Sequence, residues 1–324
     1  MFSDAPSVFV ISAAMQVSTL IPWYLVKFLA NKHKIVFLSI YATYMLMLIV
    51  IPCWKLSNSE FSLFMSFAAA MEQVRILMKV HSFVIEIYFK QIDSKKDKNA
   101  TLYNLVYFLF APTLIYRHNY PRTKKINWRA VISYFLQFIG TIFCMFATIR
   151  RFVANNYASS GIEPFNAKTL LSSLLVTGCL GMSLMFLGWY GLLQCWLNGW
   201  AEMLRFADRM FYDEWWTSSQ FSKYFRKWNL VVSDWLHTYL YQPINDMSGK
   251  RWLAALATFA ISGVAHEYIM ALATGFFFPF LFIEFLGFGA GLFWFFSIPS
   301  NGIQELTVHH HTRIIFWIKP FHDS

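Results

Sequence analysis

Residues 252–275 read WLAALATFAISGVAHEYIMALATG, a mostly apolar run of 24 residues broken near its centre by His266 and Glu267. As a helix it is long enough to cross a hydrocarbon core of about 30 Å. Measured from Trp252 at about 1.5 Å per residue, His266 lies about 21 Å along that helix, well inside a membrane. Ionisable groups at such depth cost several kcal/mol unless paired, so the His-Glu pair is a candidate functional site. Ser262 lies one turn earlier on the same face. A neutral imidazole away from water is a suitable general base for an alcohol proton, and Glu267 could orient it or meet a substrate. A lone buried histidine is more often a structural hydrogen-bonding group. The adjacent Glu267 and nearby Ser262 favour chemistry. Met270 stands where the second histidine of HExxH would be, which excludes a zinc protease of that type.

Working outward, six further apolar stretches match the length of a span: 8–28, 35–53, 61–85, 131–153, 169–195 and 277–297. Composition agrees, since 57% of the 324 residues are apolar and 20% aromatic, with only 14% charged. A soluble domain carries roughly 25% charged residues. Open strands cannot sit in lipid, so the expected fold is all-α, multi-pass and transmembrane, with about seven spans. Residues 102–116 form a shorter apolar run interrupted by Pro112, read as re-entrant or interfacial.

The net charge of +10 does not indicate nucleic acid, because the basic residues lie in short loops between apolar runs. With 86–130 placed in the cytosol, 21 of the 27 Lys and Arg are cytosolic and four lumenal, while Arg75 and Lys79 lie within a span. The N-terminus is then lumenal and the C-terminus cytosolic. The opening MFSDAPSVF has no basic n-region and is not read as a signal peptide. The single sequon, Asn99-Ala100-Thr101, falls on the cytosolic side and is expected to stay unglycosylated. Four scattered Cys with no CxxC pair argue against a disulfide framework or zinc site, and no metal is expected. Residues 1–298 are read as one membrane core, with cytosolic segments at 86–130 and 199–251 and an atypical cytosolic tail at 299–324. The polar-aromatic stretch 199–251 suits amphipathic helices at the interface.

Other polar groups have weaker readings. Glu72, Arg75 and Lys79 share one helical face, most simply as an ion-pair stripe against a neighbouring helix. Lys79 and His81 approach the cytosolic end and could also meet an anionic substrate. Asn229, close to Arg226, could donate hydrogen bonds to a carbonyl oxygen that develops negative charge, although a lone Asn in a polar loop is more often a cap. The His309-His310-His311 run reads as solvated. Gly287, Gly289 and Gly291 suit close helix packing, which would admit a second copy of the chain.

Four segments carry a resemblance. CWLNGWAEMLRFADRMFYDEWW (195–216), SGVAHEY (262–268), EQVRILMKVHSF (72–83) and YFLFAPTLIYRHNYPR (107–122) resemble the sterol O-acyltransferases of the membrane-bound O-acyltransferase superfamily. The diacylglycerol acyltransferases share the first two elements, but the HSF and APTLIYR stretches look more sterol-type. The resemblance covers about residues 5–297. It implies transfer of a fatty acyl group from acyl-CoA to a sterol 3-hydroxyl in the endoplasmic reticulum membrane. The transfer is direct within a ternary complex, with acyl-CoA as co-substrate and no other cofactor. His266 matches the family's catalytic histidine and Asn229 its partner. Arg226, Tyr241, Arg251 and Ser262 fall where the family contacts acyl-CoA, and Phe211, Tyr212, Glu214, Trp215 and Trp216 form its hallmark motif.

Three departures accompany the resemblance. The family's FYxDWWN reads Phe211-Tyr212-Asp213-Glu214-Trp215-Trp216-Thr217, so Glu214 replaces the acid and Thr217 the Asn. Ser233 stands at a family histidine position. The family has nine spans, so the first and last are expected to be missing, as in a fragment or splice product, and this chain alone is expected to be weakly active or inactive. The alternatives are a diacylglycerol or other lipid-alcohol acyltransferase, a catalytically dead lipid-binding relative, and a transporter using His266 and Glu267 as a proton relay. The transporter would carry repeats in its hydropathy, and none is found.

Overall fold

The expected spans are helical in the computed structural model, which describes residues 4–29, 33–89, 101–153, 166–219 and 221–287. Five helices are long and apolar enough to cross a membrane: α1 (Ala5–Leu29), α2 (Lys34–Ser57), α5 (Trp128–Val153), α6 (Ala167–Met203) and α10 (Arg251–Thr274). A sixth, α3 (Leu63–Val84), has the length to span at 22 residues, but Glu72, Arg75 and Lys79 interrupt its apolar run. The seventh expected span, 277–297, is a helix over 280–287 (α11) and then leaves the described residues. No strand occurs among the described residues, and the one β feature is an isolated antiparallel bridge between Arg122 and Phe206. The chain is therefore an all-helical, multi-pass membrane protein. Asn99, Gly289, Gly291, the histidine run and the 299–324 tail lie outside the described residues.

Helix α3 is the centre of the bundle, and its sequence shows why. Met65, Ala69, Gln73, Ile76, Val80 and Phe83 recur at helical spacing and are buried against α1, α2 and α10. By contrast no residue of Ala167–Trp189 is buried, so the first part of α6 leans on α5 and otherwise faces lipid. The 37 residues of α6 extend about 55 Å, well beyond a bilayer core, so its C-terminal turns project from the membrane.

Contacts between helix ends sort the loops into two sides. The Asp4 carboxylate accepts from the Ser62 amide at 3.3 Å, joining the starts of α1 and α3. At the other side Glu202 accepts from the Asn127 amide at 2.8 Å and pairs with Arg209. This is the same partition that the loop charges imply.

Helix α4 (Leu102–Phe110) has nine residues, about 14 Å, and cannot cross. Thr101 caps it by accepting from the Asn104 amide. Leu105, Phe108 and Leu109 enter the core while Leu102, Tyr103, Val106 and Phe110 are exposed, as the interfacial reading requires. Between α6 and α10 run the short helices α7 (Phe221–Trp228), α8 (Leu230–Leu236) and α9 (Gln242–Ser248), so this polar-aromatic segment is helical as its composition suggests.

Candidate active site

Helix α10 ends at Gly275, whose φ of +76° supplies the left-handed turn that reverses the chain into α11. The two helices approach closely at Gly263, where a Cβ would lie 3.2 Å from the Cβ of Phe285. Glu267 is buried, and its Oε2 accepts from the amides of Leu281 (2.9 Å) and Phe282 (3.2 Å). It therefore caps the start of α11, where first-turn amides lack partners. Glu267 makes no hydrogen bond to His266 among the described residues, which corrects the expectation that it orients the imidazole.

The orienting group is instead the Ser262 carbonyl, 2.8 Å from His266 Nδ1. A carbonyl can only accept, so Nδ1 carries the proton and Nε2 keeps its lone pair. The ring stacks on Phe285 at 4.6 Å between centroids. Nε2 is the basic nitrogen of an imidazole held in one tautomer, and the side chain lies on an exposed face among the described residues. The Ser262 side chain is buried, so its contribution to the imidazole is made by its backbone.

Asn229 sits in an aromatic frame. Its Oδ1 accepts from the Val232 amide at 3.2 Å, which makes it the N-cap of α8. The cap engages the oxygen, and the amide N–H groups are the half an oxyanion would need. The backbone on either side of Asn229 is pinned to the hallmark motif. The Leu230 amide donates to the Phe211 carbonyl (2.9 Å), the Asp213 amide donates to Lys227 (3.0 Å), and Trp189 Nε1 donates to Trp228 (3.1 Å). Phe211 is buried against Ala111, Ala201 and Phe206, and Trp215 packs on Trp228 at 4.7 Å. Tyr212 donates to Gln194 Oε1 at 2.7 Å. Trp216 is exposed at its rim, 6.4 Å from Tyr212.

Glu214, expected to stand in for the motif's acid, is exposed and contributes backbone bonds: its amide donates to Asp213 Oδ1, and its carbonyl accepts from Thr217. The acid in use is Asp213, 2.8 Å from Lys227. That ammonium, with the Glu214 amide, holds the Asp213 carboxyl below its usual range.

Among the described residues Asn229 and His266 do not hydrogen-bond one another. Their elements are joined by Phe225 against Phe259 (6.2 Å) and by Tyr241 packing on Ala254 and Ala255 of α10. Burial pushes the Tyr241 phenol up, with the Arg251 charge opposing. Arg251 is exposed at the first position of α10, and Arg226 is partly exposed on α7. Ser233 is buried one turn into α8.

The charged stripe of α3 is structural. Arg75 forms two 2.6 Å bonds to Glu72 and one of 2.7 Å to the Leu109 carbonyl, while Gln16 donates to Glu72 at 3.0 Å. Lys79 is fully buried, and its ammonium reaches the carbonyls of Phe108 (2.5 Å), Leu109 (2.9 Å) and Ala111 (2.8 Å). Those carbonyls end α4, so a cation from a spanning helix caps the interfacial one. Lys79 has no proton left for an anionic substrate, which corrects that expectation. His81 bonds the Tyr41 hydroxyl at 3.3 Å and lies against Trp235 and Tyr239.

Residues 37–318 match the model of the membrane-bound O-acyltransferase (MBOAT) family, a stretch that includes the motif, Asn229 and His266. The chain belongs to the membrane-bound O-acyltransferase family. Sterol O-acyltransferase 1 of Mus musculus is 43% identical over 230 residues, covering 69% of this chain and 43% of the relative. Sterol O-acyltransferase 2 of Homo sapiens is 41% identical over 226 residues, covering 68% of this chain and 43% of the relative. Sterol O-acyltransferase 2 of Mus musculus is 43% identical over 223 residues, 67% and 42% respectively. The chain thus spans about two fifths of the length of the curated relatives it matches.

Several polar residues of this membrane-bound O-acyltransferase chain escaped the sequence reading. Glu202 and Gln194 hold the C-terminal end of α6 to α5 and to the motif. Ser82 accepts from the Tyr116 amide (2.7 Å) and bonds Tyr239, which also donates to Glu86 (2.7 Å). Gln73, fully buried in α3, bonds both α2 and α10. A polar residue inside an apolar run was the available signal, and Gln194 within YGLLQCWL (190–197) gives it most clearly.

Proposed function

We propose that this chain is the catalytic core of an acyl-CoA-dependent sterol O-acyltransferase of the endoplasmic reticulum membrane. Its substrates are then a fatty acyl-CoA and a sterol, and no cofactor beyond the acyl-CoA is needed. The observation that carries the reading is the 41–43% identity to sterol O-acyltransferases across two thirds of the chain. The geometry at His266 supports it. Nε2 would take the proton of the sterol 3-hydroxyl as the oxygen attacks the thioester carbonyl. The resulting oxyanion would receive N–H groups of Asn229. When the tetrahedral species collapses, the C–S bond breaks and the imidazolium returns its proton to the coenzyme A sulfur. No covalent acyl-enzyme forms. Arg226 and Arg251, on the cytosolic side, suit the phosphates of acyl-CoA.

The test is labelled acyl-CoA supplied to membranes of cells that lack sterol esterification and express this chain. Sterol ester is the expected product. Triacylglycerol instead would move the substrate to diacylglycerol, and neither product would leave a lipid-binding relative.

A further inference from the structure

Pro52 lies inside α2 and has no N–H, so the carbonyl four residues earlier, on Leu48, loses its helical donor. Gln73 of α3 supplies the replacement. Its Nε2 donates to the Leu48 carbonyl at 2.9 Å and to that of Ile49 at 3.0 Å. Its Oε1 accepts from the Tyr268 hydroxyl of α10 at 2.8 Å. The two backbone carbonyls can only accept, so the amide cannot flip without setting oxygen against oxygen. One buried side chain thus joins three membrane helices with every bond direction fixed.

Resting on the reading of His266 as the base, we infer that Gln73 and Tyr268 are positioning residues that set the rotation of α10. Tyr268 follows His266 by two residues, about 200° around the helix. The clamp therefore grips the side of α10 nearly opposite the imidazole. On another flank the helix meets α11 through Gly263 and the Glu267 cap. Apolar packing on a ridge of small residues such as Ala254, Ala255 and Ala273 resists rotation weakly, whereas a hydrogen bond to a fixed amide does so directionally. An atom about 6 Å from the axis moves about 1 Å when the helix turns by about 10°, and such a displacement can cost on the order of 100-fold in rate.

The experiment compares Tyr268→Phe, Gln73→Leu and the double variant in membranes expressing the full chain. Tyr268→Phe removes only the α10 end of the clamp and leaves the Leu48 carbonyl satisfied. It is expected to lower kcat for acyl transfer by about 10-fold with KM for acyl-CoA and thermal stability near wild type. Gln73→Leu should show a similar kcat loss and a lowered melting temperature. The double variant should have the kcat of Gln73→Leu, because the two singles break one shared bond. A readout independent of turnover is the rate at which diethyl pyrocarbonate modifies His266, followed by peptide mass spectrometry with His237 as internal reference. Tyr268→Phe should change the His266 rate alone. Wild-type kcat and wild-type His266 reactivity in Tyr268→Phe, or losses that multiply in the double variant, would overturn the clamp. If His266→Ala retained activity the base assignment would fall, while the His266 reactivity would still decide whether the clamp sets its exposure.

Discussion

Lys79 and His266 are both ionisable side chains in neighbouring membrane helices, yet they are used in opposite ways. Lys79 spends all three ammonium protons on carbonyls at the end of α4, and Glu72 and Arg75 beside it engage each other, Gln16 and Leu109. On α10, the Oε2 of Glu267 is likewise engaged as the cap of α11. His266 has one nitrogen satisfied by the Ser262 carbonyl and carries no second hydrogen bond among the described residues. The rule that polar groups in lipid need partners makes every such residue conspicuous in a sequence. It does not say whether the partner is the protein or a substrate. A fully spent donor is architecture, and a group held in one tautomer with a lone pair to offer is a candidate for chemistry.

Substitutions at four positions can break or sharpen that contrast. The largest effect is expected at His266. His266→Ala should lower ester formation by about 100- to 10,000-fold with the protein level unchanged, measured by labelled acyl transfer in membranes. Near-normal turnover would remove the contrast entirely. Next comes Asn229→Asp, which keeps the capping oxygen but loses the N–H donors. Turnover should fall about 100- to 1000-fold while the melting temperature holds, whereas Asn229→Ala should lose about 1 kcal/mol of stability as well.

Lys79→Met should act on the fold rather than the chemistry. It leaves the Phe108 carbonyl without a donor in a buried site, at about 1–3 kcal/mol, while Leu109 keeps the Arg75 guanidinium and Ala111 the Thr113 amide. A fall in yield and melting temperature with unchanged KM is expected, and a selective rise in KM for acyl-CoA would return Lys79 to substrate binding. The smallest effect concerns Asp234 on α8. Burial, reinforced by the charge of Asp208 and opposed by Arg117, raises its carboxyl to about 6. A carboxyl raised on folding stabilises the protein while neutral, so its contribution is full below the unfolded value near 4 and is lost as pH rises through about 6. Asp234→Asn should therefore flatten the pH dependence of stability between pH 4 and 7. After allowance for solvent screening it should gain about 1 kcal/mol at neutral pH. An unchanged melting profile would show that Asp234 stays solvated.

The spans were legible because hydropathy is a sum over about 20 residues and tolerates local error. α3 is a helix of 22 residues at the centre of the bundle, but its three charges keep it out of the five described helices that are apolar enough to span. The Lys and Arg bias divides the loops into two sets, and Asp4 with Ser62 and Asn127 with Glu202 each join helix ends of one set in space. The roles of individual acids were not. Glu214 occupies the motif's acidic position by alignment of letters, but Asp213 makes the ion pair, because the lysine that selects it arrives 14 residues later on α7. Ser262 was noticed for its hydroxyl and matters to the imidazole through its carbonyl.

What the sequence determined by itself is what depends on composition and local spacing. It specified an all-helical membrane chain, a short helix that cannot cross, and a histidine set deep in a span. The tertiary structure decided which polar groups spend their hydrogen bonds on the fold. Lys79 meets carbonyls 29 to 32 residues away, Glu267 meets amides 14 and 15 residues on, and Gln73 joins residues 25 before it to one 195 after. The physical reason is that a hydrogen bond is decided within about 3 Å in space, and no local pattern in a chain encodes which distant backbone will come to rest there.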